Sequence, residues 1–396
     1  MYKTIFVSIA SYRDTYCTPT LESIYENATY PQNIYVGICT QNSQDDKNKD
    51  ENCVINKQNL KLYSTNVRTI HLKDYEAKGP TWARYLCTTL MNNEDYFLQI
   101  DSHTLFEPGW DVTLIEMIND IKNNTSSKNV IISHYPPIYE DYDKKDKNIK
   151  NVTALCQSFF NEKGIISLKG AKWVDTTKHK YIQTPHIAGG MIFCEGKCIQ
   201  EVPYDPNLPN LFVGEEILHA ARLWTSGYDM YTPTQNVIYH LYTRNEQPKF
   251  WDNKNHDDTD ALNKVKLMLQ LDDDSNLNQK IPAHVKNNID KYGLGKKRSL
   301  KEYYDFAGID VKNKKVYKNF CPTPHTVTPK DITNTSPTNT TSISLPTSMK
   351  EGFTNTNTNN SNSNNNNVTY NKNIKYYTVF LFLAFFLLFI ILNKKR

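Results

Sequence analysis

The chain has 396 residues, with 46 Lys and Arg against 42 Asp and Glu and a formal net charge of +4. That length allows one large domain or two smaller ones with a sizeable core. So small a charge on so long a chain gives no case for nucleic-acid binding by bulk electrostatics.

Residues 1 to about 325 mix apolar, aromatic and charged side chains as a packed protein does. Thr4 to Ala10 is apolar and β-branched and is followed by Ser11-Tyr12-Arg13-Asp14, which predicts a buried strand and then a loop. Leu21 to Asn27 has helical spacing after Thr18-Pro19. Asn33 to Thr40 reads as a second strand, Asp45 to Asn52 as a charged loop and Thr69 to Leu72 as a third strand. Thr81 to Met91 reads as a helix behind Gly79-Pro80. Tyr96 to Ile100 is a fourth strand that ends at Asp101, Asp111 to Ile121 is helical, and Asn129 to Ser133 is a fifth strand. Strands alternating with helices predict an α/β fold, a mostly parallel sheet flanked by helices. Ligands of such sheets bind beyond the carboxyl ends of the strands, where Asp14 and Asp101 fall. The first strand is not followed by G-x-G-x-x-G, and G-x-x-x-x-G-K-[ST] does not occur, so dinucleotide and P-loop readings are disfavoured.

Residues 251–325 contain Trp251, His256, the acidic run Asp272 to Asp274 and Lys296-Lys297-Arg298, and read as a capping helical extension or acceptor loop. Residues 326–373 are dominated by Asn, Thr and Ser and cannot bury enough surface to offset chain entropy, so a disordered linker is expected. The uncharged run Tyr376 to Leu392 is near the lower length limit for spanning a bilayer and predicts a transmembrane helix over about 374–393. Met1-Tyr2-Lys3 leads straight into a strand-like run, so the expectation is a single-pass, tail-anchored protein with its catalytic part in the cytosol. The eight cysteines, at 17, 39, 53, 87, 156, 194, 198 and 321, show no paired framework and are expected to be free thiols.

The sharpest chemical feature is Asp101-Ser102-His103. An acid two residues from a histidine, at the end of an apolar strand, can aim a carboxylate oxygen and an imidazole nitrogen at one divalent ion. Such a pair accepts Mn²⁺ or Mg²⁺, with the histidine tilting the choice to Mn²⁺. Read alone, it is more often a helix or loop cap by Asp101 beside a surface histidine. Gly189 and Gly190 open a strand-like run where backbone could approach a ligand, or where the chain simply turns. Glu215 and Glu216 follow Gly214 at the start of a helix, where acids also suit the helix dipole. His240 lies in the strand-like run Asn236 to Arg244, as a core histidine or a third metal ligand.

In combination these segments resemble a known family. Val202 to Arg244, together with Thr4 to Asp14, Gly79 to Arg84, Asp101 to Asp111 and the run around Tyr135-Pro136-Pro137, is similar in order and spacing to the Skp1-type N-acetylglucosaminyltransferase family. A more distant similarity is to the polypeptide N-acetylgalactosaminyltransferases. The resemblance implies a GT-A fold, a UDP-sugar donor such as UDP-GlcNAc, a divalent metal and retention of anomeric configuration. It implies Asp101, His103 and His240 as metal ligands, Ser8, Arg13 and Asp14 near the uridine or its ribose, and Arg84 near the donor. Gly189 and Gly190 would line the sugar pocket, with Glu215 and Glu216 beside sugar and acceptor. The implied acceptor is a hydroxyl on a protein (hydroxyproline, Ser or Thr) or on a glycan. Two other classes remain: an inactive sugar- or nucleotide-binding protein of the same fold, and a metal-dependent phosphoester hydrolase.

Overall fold

A computed structural model describes residues 3–45, 49–142, 151–244, 247–252, 257–272 and 274–322. All of them belong to one compact unit, Met1–Lys350. The expected linker over 326–373 and transmembrane helix over 374–393 lie outside the described residues. Among the described residues, no helix is long and apolar enough to cross a membrane.

In chain order the elements are β1 (Ile5–Tyr12), α1 (Cys17–Asn27), β2 (Ile34–Asn42), β3 (Val67–Lys73), α2 (Pro80–Thr88), β4 (Tyr96–Asp101), β5 (Thr104–Phe106), α3 (Trp110–Asn124) and β6 (Val130–Ser133). Four short strands follow: β7 (Asn151–Ala154), β8 (Ser158–Phe160), β9 (Ile166–Leu168) and β10 (Lys172–Asp175). The second half continues with β11 (Gln183–Thr184), β12 (Met191–Glu195), α4 (Lys197–Glu201), α5 (Glu215–Thr225), β13 (Asp229–Tyr231) and β14 (Ile238–His240). Helices α6 (Thr259–Met268), α7 (Leu277–Lys280), α8 (Ile289–Tyr292) and α9 (Leu300–Ala307) occupy the region predicted as an extension.

Eight strands form one sheet in the order β11-β13-β6-β12-β4-β1-β2-β3. The β1–β2, β2–β3, β1–β4 and β6–β13 pairings are parallel. Strand β12 runs antiparallel to both β4 and β6, and β11 antiparallel to β13. The sheet is thus mostly parallel, as expected, with two strands reversed. Side chains alternate between its faces. Ile5, Val7 and Ile9 of β1 and Tyr96, Leu98 and Ile100 of β4 pack with α1 and α3 through Leu21, Ile24, Trp110, Leu114 and Ile118. Phe6, Phe97, Ile192 and Cys194 face the other way, into a core shared with Leu218 and Ala221 of α5, Val265 of α6 and Tyr303 of α9. The same period of two puts Gln99 and Asp101 on this second face. Each fully buried Leu, Ile or Phe contributes about 1.5–3 kcal/mol. An exposed ion pair such as Lys57–Glu26 contributes roughly 0–1 kcal/mol, so the two cores hold the sheet.

Several boundaries move from the predicted ones. Helix α1 starts at Cys17, not Leu21, because Pro19 sits in its first turn, where a missing N–H costs no intrahelical bond. Helix α2 ends at Thr88 rather than Met91. The predicted strand Asn236 to Arg244 shortens to the three residues of β14.

The cysteine expectation needs correction. Cys17 pairs with Cys53, and Cys156 with Cys321. Partners 36 and 165 residues apart leave no local spacing to read. Cys39, Cys87, Cys194 and Cys198 are buried free thiols.

Candidate active site

The apolar run of β4 delivers Asp101 at its carboxyl end, and β5 begins three residues later. Strand β14 pairs antiparallel with β5, with His240 opposite Thr104, so His240 lands beside His103. The two imidazole rings lie edge to face with centroids 4.6 Å apart. One ligand atom from each of Asp101, His103 and His240 lies within 4.8 Å of the others. His240 Nε2 is 2.9 Å from Asp101 Oδ2, and its Nδ1 is buried without a protein partner.

A fourth residue orders this cluster. Asp14 Oδ2 lies 2.6 Å from His103 Nδ1 and also accepts from the Ser102 hydroxyl at 2.6 Å. Its Oδ1 accepts from the Tyr16 backbone N–H at 2.9 Å, and the Arg244 guanidinium is 3.1 Å from Oδ2. The Asp14 side chain has no exposed surface. An anion on Nδ1 fixes the imidazole with its proton on that side and leaves Nε2 as the electron-pair donor. Burial holds the His103 pKa below the ordinary histidine value despite the bond to Asp14, which keeps the ring in the neutral form a metal needs. Burial works against ionising Asp101, but the His240 hydrogen bond and the nearby charges of His240, His103 and Arg84 outweigh it and hold its pKa well below the carboxylate range. One carboxylate and two imidazoles with ligand atoms this close fit a divalent cation that takes mixed N and O ligands.

The second cluster forms at the start of α5. Gly214 precedes it with φ +98°, a conformation side chains rarely adopt, and a Cβ there would press on Ile165 and Val265. Glu215 accepts from the Arg84 guanidinium at 2.7 Å and from the Thr81 hydroxyl at 3.0 Å. The same Arg84 lies 3.7 Å from Asp101 Oδ1, so it links the two clusters. Glu216 accepts from the Gly189 N–H at 2.8 Å and from the Tyr135 hydroxyl at 2.9 Å. Burial, with the charge of Glu215, pushes the Glu216 pKa up to about 7 against the bonds that favour its anion.

The structure therefore brings Asp101, His103, His240, Arg84, Gly189, Gly190, Glu215 and Glu216 to one place. Ser8 is not open to it: the residue is wholly buried in β1 and faces the Cys87 thiol of α2. Asp14 is likewise closed to a ligand and serves His103. Arg13, in the left-handed region at φ 47°, turns outward and pairs with Asp50 at 2.8 Å and Asp74 at 3.5 Å. It lines a cleft of about 440 Å³ at the carboxyl ends of β1 to β3, with Ser43, Gln44, Asp45, Lys73 and Tyr75. Gln99, Thr81, Tyr135 and Arg244 take part without having been assigned a role from sequence. Gln99 had a signal, being the one polar residue inside the apolar run Tyr96 to Ile100. The others join the site only through pairings distant in sequence.

The profile of the glycosyltransferase (GlcNAc) family matches residues 4–59 and 47–313. The chain belongs to this family. No curated protein matches the sequence. Among solved structures it is similar to GalNAc-T7 with UDP, GalNAc and Mn²⁺, at TM-score 0.44 and 13% identity, over 68% of this chain and 48% of that one. The family member thus spans about half the length of that GalNAc-T7 chain. It is also similar to residues 1–349 of S. aureus TarS in complex with UDP-GlcNAc, at TM-score 0.40 and 12% identity, over 68% of this chain and 67% of that one.

Proposed function

We propose that the protein is a retaining glycosyltransferase that moves a sugar from UDP-GlcNAc to a hydroxyl of a protein (hydroxyproline, Ser or Thr) or a glycan. The observation that carries the reading is the Asp101-His103-His240 cluster tied through Arg84 to the Glu215-Glu216 pair, in a chain of the GlcNAc glycosyltransferase family. Asp101, His103 and His240 would hold a divalent ion, Mn²⁺ by its mixed ligand set. When bound, that ion supplies positive charge to the donor's two phosphates and the departing nucleoside diphosphate. The cleft at the carboxyl ends of β1 to β3 suits the nucleoside by its position in the sheet.

The chain's own residues would do the rest. Glu215, oriented by Arg84 and Thr81, presents oxygens for sugar or acceptor hydroxyls. Glu216, with a pKa near neutrality, can accept or give a hydrogen bond as its proton comes and goes. An acceptor hydroxyl approaching from the leaving-group face forms the new bond to the anomeric carbon as the bond to phosphate breaks. Its proton passes to the departing phosphate oxygen, so no strong protein base is needed. The protein's contribution is then orientation and fixed charge.

A panel of nucleotide sugars incubated with the full chain, with and without Mn²⁺, tests this. The expected result is release of UDP from UDP-GlcNAc that requires the metal and accelerates with acceptor. Inorganic phosphate as the product would instead mark a phosphoester hydrolase, and binding without turnover an inactive relative.

A further inference from the structure

Gly189 is held from three elements at once. Its carbonyl accepts from Gln99 Nε2 of β4 at 2.6 Å and from Arg84 of α2 at 3.3 Å, while its N–H donates to Glu216 of α5 at 2.8 Å. Gln99 is in turn fixed from behind, because its Oε1 accepts from the Tyr204 hydroxyl. The Tyr204 ring stacks on His219 with centroids 4.6 Å apart. Gln99 is 1% exposed in an otherwise apolar strand. A buried amide there costs free energy unless both ends are bonded, and here both ends are.

The consequence falls on the next residue. The peptide bonds are trans, so the C=O of Gly189 and the N–H of Gly190 point in opposite directions. With that carbonyl fastened to Gln99 and Arg84, the Gly190 N–H is turned away from them. Among the described residues it has no hydrogen-bond partner. Gly190 abuts the metal cluster, since a Cβ on it would lie 3.5 Å from Asp101 Oδ2. A Gly-Gly peptide left to itself flips at little cost. A buried N–H without a partner is destabilising until something accepts from it.

We propose that Gln99 is a positioning residue: it locks the Gly189–Gly190 peptide so that the Gly190 N–H donates to an oxygen of the donor bound beside Asp101. The inference rests on the donor reading above. The oxygen belongs either to a phosphate or to the sugar, and the two sources separate experimentally.

Calorimetric binding of UDP and of UDP-GlcNAc to the full chain in Mn²⁺ tests it, with Gln99→Met and Tyr204→Phe beside the wild type. Gln99→Met keeps the volume and removes the donor, and should weaken binding about ten-fold, the loss of one oriented hydrogen bond. Tyr204→Phe, which only loosens Gln99, should weaken it about two- to three-fold. Mn²⁺ affinity should stay at its wild-type value in both. Each variant should melt lower, because a buried partner is left unbonded, yet remain folded at the titration temperature. Ligand loss with Mn²⁺ affinity intact is what a merely structural role would not allow. Loss with UDP as well as UDP-GlcNAc assigns a phosphate oxygen, and loss with UDP-GlcNAc alone assigns the sugar. Unchanged binding of both ligands in both variants overturns the inference, as does a Mn²⁺ affinity that falls in step. A wild type that binds neither ligand sinks the donor reading itself.

Discussion

Asp101 and Glu216 are carboxylates of one site, yet their surroundings push them in opposite directions. Around Asp101 stand His240 at 2.9 Å, His103 and the Arg84 guanidinium, and the group stays ionised far into acid. Around Glu216 stand Tyr135, the Gly189 N–H and the competing anion Glu215, and burial raises its pKa to about 7. Carboxylates whose environments separate their pKa values divide the chemical work between them. On the proposed reading, the Asp101 end holds a cation and the Glu216 end exchanges hydrogen bonds with hydroxyls. Arg84 stands between the two, bonded to Glu215 at 2.7 Å and 3.7 Å from Asp101.

Three substitutions can break or sharpen that contrast. The largest effect is expected from Glu215→Gln, which leaves the buried Arg84 without its anion. Transfer should fall roughly 100- to 1,000-fold, the scale of losing a preorganised charged contact, while Mn²⁺ affinity stays within a few-fold. Loss of Mn²⁺ affinity of similar size would mean the two clusters are one. Asp14→Asn comes next. It retains an acceptor for His103 but removes the charge behind it, so Mn²⁺ affinity should fall about 10-fold, at the low end for a partner of a metal-bound histidine. An unchanged affinity together with weaker uridine binding would return Asp14 to the nucleoside.

The smallest effect is a stability change at Glu216. Its folded pKa of about 7 lies above the ordinary value of 4.5. The folded state therefore prefers the protonated acid: the stabilisation is full below pH 4.5 and is lost as pH rises through about 7. Glu216→Gln mimics the protonated form. It should melt with the wild type near pH 5 and be more stable at pH 8 by about 1–2 kcal/mol, less than the full shift implies because the side chain is partly open to solvent. A glutamine variant that melts lower at pH 8 would show that the carboxylate's bonds to Gly189 and Tyr135 win over burial.

The sequence was informative where structure is local. The strands β1, β2 and β4 are largely apolar runs buried on both faces, and such runs can be read without knowing their neighbours. Asp101 was legible for the same reason, as the charge that ends β4. The reversed strand β12, the pairing of β14 with β5 and both disulfides depend on residues far apart in the chain, and no period reports them. Asp14 shows the same limit. Its position after β1 pointed to the nucleoside, whereas its side chain turns back to His103, a partner 89 residues away.

Asp101 and its two histidines are proposed to carry the metal on which donor binding depends. Calorimetric titration of UDP into the wild type and Asp101→Ala, each with Mn²⁺ and with a chelator, tests it most directly. Binding is expected only for the wild type with Mn²⁺. Equal UDP affinity in chelator, or in Asp101→Ala with Mn²⁺, would contradict it.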